Sequence, residues 1–188
     1  MEFFGIIGDR GSGKTNLLTA ILHDQYANGK TIISNFHLSF PYTLMGFSDL
    51  IKLGPEIHRA TIGMDELGRG ADSYDFFLHD VRRITTLISE IRKRECIVWY
   101  TVQRWNLIAK RLRDQTDGFI LCVDADQGHP PEKGRCQGLF NLTFINSDFH
   151  VVRRARFDGR PFWDMYDTEE IIWGYQEQPK KKKEGKTE

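Results

Sequence analysis

The chain is expected to fold as an α/β protein, with a mainly parallel sheet flanked by helices and an antiparallel C-terminal hairpin at the sheet edge. Three features lead there. Apolar runs of strand length alternate with segments of helical periodicity, the order that builds right-handed crossovers and a mainly parallel sheet. Cys96-Ile97-Val98-Trp99-Tyr100-Thr101-Val102 is a continuous apolar run, as expected of a strand inside such a sheet. Past the turn-rich stretch Gln127 to Gly134, two alternating runs at about 138–146 and 149–157 read as the hairpin.

The elements follow in order. Phe3-Phe4-Gly5-Ile6-Ile7 places a strand at about 2–7, and a helix follows at about 14–27, stopped by Asn28-Gly29. Thr31 to Ser34 is a second strand, leading into an irregular stretch that reaches Pro41. Phe47 to Leu53 looks like a short helix capped by Ser48 or Asp49. A strand at Ala60 to Met64 ends in Asp65-Glu66. A long helix at about 74–94 is read from Phe77, Val81, Ile84, Leu87, Ile88 and Ile91 at three- and four-residue spacing. The apolar strand from Cys96, a helix at about 105–112 and a strand from Gly118 to Val123 complete the parallel part.

The residues between the first strand and the first helix carry the chemistry. Gly8-Asp9-Arg10-Gly11-Ser12-Gly13-Lys14-Thr15 fits G-x-x-x-x-G-K-[ST] at every fixed position. Glycines let successive backbone N–H groups turn inward around phosphates, and the following helix adds its positive N-terminal end. Lys14 reaches β- and γ-phosphates, and Thr15 offers its hydroxyl to Mg²⁺. The fold is therefore expected to be that of a P-loop NTPase, binding ATP with Mg²⁺.

Asp65-Glu66 supplies the acidic partner. Asp65 would hold the metal, and Glu66 would orient or deprotonate the attacking water. Gln103, closing the apolar strand, faces the crevice where open α/β sheets bind ligands and is placed to sense the γ-phosphate or position the water. Arg92 precedes that strand at the far end of the sheet from its own loop. Any catalytic role it has would act in trans across a subunit interface.

With 188 residues, 40% of them hydrophobic, the chain has room for one domain, expected at 1–175. Residues 176–188 read as a charged, disordered tail. Lysine plus arginine (26) balances aspartate plus glutamate (26), but Arg82, Arg83, Arg92, Lys93, Arg94, Arg104, Lys110, Arg111 and Arg113 cluster between 82 and 113. Such a face attracts a phosphate backbone even at zero net charge. Three cysteines are widely spaced, with Cys96 and Cys122 in apolar runs that suit reduced, buried thiols; the histidines show no ligand spacing, and no apolar run approaches the roughly 20 residues that cross a bilayer.

Ile91-Arg92-Lys93 before an apolar strand that ends Thr101-Val102-Gln103-Arg104 resembles the FtsK–HerA superfamily of DNA-pumping ATPases. The stretch from Trp105 to Leu121 and the phrase Phe162-Trp163-Asp164-Met165-Tyr166-Asp167-Thr168 look like its virus and phage branches, including Zot-like morphogenesis ATPases. In size and layout the chain is most similar to genome-packaging ATPases of icosahedral viruses with an internal membrane, such as the turreted viruses of Sulfolobus. The resemblance covers about 1–170 and implies a motor that moves double-stranded DNA into a capsid. It also implies a ring, a hexamer, of this chain; capsid or internal-membrane vertex proteins as partners; and a place in the host cytoplasm or on the virion. Lys14, Glu66, Gln103 and Arg92 become its catalytic residues, with Arg83 or Arg111 in reserve for the trans arginine.

Three alternatives stay open: a Zot-like assembly ATPase driving virion extrusion, a small P-loop nucleotide kinase, and a nucleotide-gated scaffold that does not hydrolyse. A kinase would need an acceptor pocket and a basic lid, and Asp65-Glu66 suits water better than a sugar hydroxyl.

Overall fold

The computed structural model describes residues 3–46, 57–67, 91–108, 110–125 and 138–167, with backbone alone at 111. The expected short helix at 47–53, the long helix before residue 91, Arg83, the Arg111 side chain, the turn-rich loop at 127–137 and the tail at 176–188 lie outside the described residues.

The strands are β1 (Phe3–Ile7), β2 (Thr31–Ser34), β3 (Thr43–Leu44), β4 (Ala60–Met64), β5 (Ile97–Val102), β6 (Gly118–Asp124), β7 (Leu139–Asn146) and β8 (Val151–Asp158). They form one sheet in the order β3-β2-β4-β5-β1-β6-β7-β8. Strands β1 to β6 pair in parallel, and β7 and β8 add antiparallel at the β6 edge. β5 thus lies between the strand that feeds the phosphate loop and the strand that ends in Asp65.

Helix α1 (Lys14–Ala27) covers one face. Beneath it Ile6, Leu17, Leu18, Leu22, Ile32, Ile120, Phe140 and Leu142 form one apolar layer. Phe3, Ile7, Ile33, Ile62, Met64, Val98, Tyr100, Val102, Ile108 and Leu112 form the other. Neighbours such as Ile6 and Ile7, or Ile32 and Ile33, fall in opposite layers, as the two-residue period of a strand buried on both faces requires.

The C-terminal hairpin is built into the site. Phe140 of β7 lies under the phosphate loop, so close that a Cβ at Gly13 would stand 2.4 Å from its ring. Gly13 also has φ of 82°, a left-handed conformation that favours glycine. Gly13→Ala combines strain with overpacking, and it is expected to cost about 1–3 kcal/mol of stability. Urea unfolding checks this; an unchanged midpoint would mean that Phe140 gives way freely.

Past β8, a 3-10 segment at Arg160–Met165 crosses back over α1. It is tied down where the Ser39 N–H donates to the Met165 carbonyl at 3.0 Å and Leu38 bridges Tyr166. The expected helix at 105–112 is instead a 3-10 turn at Trp105–Leu107 followed by the short α2 (Lys110–Arg113). Ile108 between them is extended and buried, and Trp105 docks on Phe119 with ring centroids 4.9 Å apart. Core docking of these two side chains outweighs continuation of the helix. The two-residue β3 lies just past the stretch read as irregular, where the Met45 N–H donates to the Ser34 carbonyl at 2.8 Å.

Candidate active site

Residues 8–13 leave the C-terminal end of β1 and turn into α1 without any side-chain cap on the helix. The N–H groups of a helix's first turn have no intrahelical partners, so this N-terminus presents unpaired donors to an anion. Gly8 is fixed by close approach, since a Cβ there would stand 2.3 Å from the Cys122 carbonyl of β6. From that strand the Cys122 thiol donates to the Ser12 carbonyl at 2.9 Å. Asp9, Arg10 and Gly11 are exposed at the loop's crest. Lys14 is buried and folds back so that its ammonium donates to the Asp9 carbonyl at 2.9 Å. Burial lowers its pKa, and the carboxylates of Asp65 and Glu66 oppose that shift. A cation half-stripped of water inside a glycine cradle suits a polyanionic ligand.

Thr15 connects the loop to the acid pair. Its hydroxyl donates to Asp65 Oδ2 at 2.9 Å, bringing together two residues fifty positions apart. Asp65 is held from every side. Its other oxygen accepts from the Thr101 hydroxyl of β5. Its backbone N–H donates to Asn35 Oδ1 at 2.7 Å, and its carbonyl accepts from Asn35 Nδ2 at 3.0 Å. Burial pushes the Asp65 carboxyl above the usual range, and the Thr101 and Thr15 hydroxyls pull the other way. Hard oxygen donors at the loop's end fit Mg²⁺.

Glu66 follows in the left-handed region at φ of 51°, its N–H donating to the Thr101 hydroxyl at 2.8 Å. One threonine therefore pins both acidic residues. Thr101→Val keeps the shape and removes both bonds, one of them to a charged group. The expected loss is about 1–3 kcal/mol, read as a lower urea midpoint. A midpoint equal to wild type would show that water replaces the hydroxyl at no cost.

Because β5 lies between β1 and β4, Gln103 emerges at the C-terminal end of the sheet between the loop strand and the acid strand. Arg92 is at the other end. Its guanidinium lies 3.4 Å from Asp117 Oδ1, and Asp117 also accepts the Phe3 N–H at 3.1 Å, where β1 begins. The structure thus gathers Gly8 to Thr15, Asp65, Glu66 and Gln103 at one end of the sheet and leaves Arg92 at the opposite end. Sequence reasoning missed Thr101 and Asn35. The signal was their position at the ends of strands flanking the acid strand, which becomes readable only once the strand order is known.

The fold and the loop define the class: a P-loop NTPase fold. Among solved structures the chain is similar to the genome-packaging NTPase B204 from Sulfolobus turreted icosahedral virus 2, determined in complex with AMP. That match has a TM-score of 0.54 and 10% identity, covering 80% of this chain and 95% of that one. It is also similar to the N-terminal domain of zonular occludens toxin from Neisseria meningitidis, with a TM-score of 0.56 and 15% identity over 89% of this chain and 100% of that one. The ATPase domain of a third protein matches with a TM-score of 0.55 and 9% identity over 84% of this chain and 81% of that one. No family model matches, and no curated protein matches at sequence level. Among the described residues no helix is long and apolar enough to cross a membrane.

Proposed function

We propose that this protein is an ATP-hydrolysing motor that assembles as a ring and translocates double-stranded DNA into a viral capsid. The observation that carries the hydrolytic part is the Thr15–Asp65–Thr101 chain, which joins phosphate loop, acid strand and intervening strand into one constellation. In it Lys14 neutralises phosphate charge, Thr15 and Asp65 would hold Mg²⁺, Glu66 activates water, and Gln103 faces the γ-phosphate side. When bound, the metal neutralises charge that develops on the β- and γ-oxygens. Everything else falls to the chain: the loop fixes the phosphates, and Thr101 holds Glu66 beside them.

The DNA cargo and the capsid rest on the FtsK–HerA resemblance, on the density of basic residues along the sequence between 82 and 113, and on the likeness to the packaging NTPase. The likeness to the toxin's N-terminal domain favours the second reading, an assembly ATPase that drives virion extrusion, because it covers that whole domain.

DNA affinity tests the cargo. Binding to linear double-stranded DNA of mixed sequence is expected to fall steeply with salt. A contact to about six phosphates gives a log–log slope near −5. Affinity independent of salt would contradict a basic DNA-gripping surface.

A further inference from the structure

We propose that Trp163, presented on the 3-10 segment after β8, is the stacking platform for the base of the bound nucleotide; this rests on the phosphate-loop reading of the site. The geometry points there in three steps. Thr15 and Asp65 fix the side of the loop on which the metal and γ-phosphate lie, toward β5 and β4. With the γ end of the triphosphate on that side, the nucleoside end is assigned to the other side of the loop, over the ends of β6, β7 and β8. Of the three exposed phenylalanine, tyrosine and tryptophan rings among the described residues, Tyr26 closes α1 and Phe149 sits in the β7–β8 turn, both at the far end of the sheet. Trp163, 40% exposed, is at the loop's end and on the nucleoside's side.

Its position relative to the phosphates is fixed by a short covalent and hydrogen-bonded path. Buried Asn16, one residue past Thr15, donates through Nδ2 to the Gly159 carbonyl at 3.0 Å. The Gly159 N–H donates in turn to the Gly138 carbonyl at 2.7 Å. Gly138 has φ of 81°, and a Cβ on it would stand 2.8 Å from the Trp163 ring and 2.6 Å from Cγ of Arg160. The indole thus lies against bare backbone, with the Arg160 stem beside it. The Arg160 guanidinium is engaged by a two-point ion pair to Asp158, at 2.9 and 2.7 Å. What remains exposed is a flat, uncharged and mostly apolar ring, which suits the face of a base better than a phosphate.

The test compares ATP with inorganic tripolyphosphate, each with Mg²⁺, by calorimetry on the full chain and on Trp163→Ala and Trp163→Phe. Base–aromatic stacking predicts that Trp163→Ala weakens ATP about five- to a hundredfold, that Trp163→Phe recovers part of this, and that tripolyphosphate affinity does not change. An unchanged ATP affinity in Trp163→Ala, or an equal loss for ATP and tripolyphosphate, would overturn the stacking role while leaving the phosphate loop intact. A wild-type protein that binds neither ligand would overturn the phosphate-loop reading itself, and the stacking role with it.

Discussion

Glu66→Gln is expected to lower ATP turnover by about 10²- to 10⁴-fold, the contribution typical of a positioned general base. ATP should remain bound at close to wild-type affinity. The amide keeps the size and shape of the carboxylate and loses its charge and its ability to take a proton from water. The backbone at this position is set independently of the side chain, by the Thr101 hydroxyl on the Glu66 N–H and the Thr101 carbonyl on the Leu67 N–H. The loop and Thr15–Asp65 are likewise untouched. Rapid quench under single-turnover conditions, with nucleotide binding measured on the same protein, reads both quantities. Turnover at the wild-type rate would remove Glu66 from the chemistry. A wild-type protein that binds ATP without hydrolysing it would favour the nucleotide-gated scaffold.

Arg92→Ala is expected to be as severe, about 10³- to 10⁵-fold in turnover, with nucleotide affinity nearly unchanged. The physical reason is distance. Arg92 lies beside Asp117 where β1 and β6 begin, at the opposite end of the strands from the loop. Its side chain is 43% exposed, so it is accessible to a neighbouring subunit and out of reach of its own site. Its ion pair with Asp117 is worth no more than about 1 kcal/mol at such exposure, so a purely structural role would leave a small stability change and near-normal turnover. Measuring turnover and urea midpoint together separates the two. Normal turnover by Arg92→Ala would end the trans-arginine assignment.

Much of this was legible in the sequence. The phosphate loop is readable because glycines, Lys14 and Thr15 must sit at fixed spacing between a strand and a helix. The β5 strand is readable because burial on both faces demands an unbroken apolar run. The edge hairpin declared itself by its switch to alternation. The order of strands did not, since parallel strands of similar composition carry no local mark of their neighbours. Thr101 and Asn35 were invisible for that reason. The break at Ile108 was hidden because a buried isoleucine fits a helical period as well as an extended linker, and only its docking in the core decides.

The most direct test of the motor is ATP hydrolysis measured with and without linear double-stranded DNA, across protein concentrations that span ring assembly. Turnover that rises more than linearly with protein and is stimulated by DNA is the predicted result. Turnover strictly proportional to protein and indifferent to DNA would leave a phosphate-loop NTPase and contradict the motor.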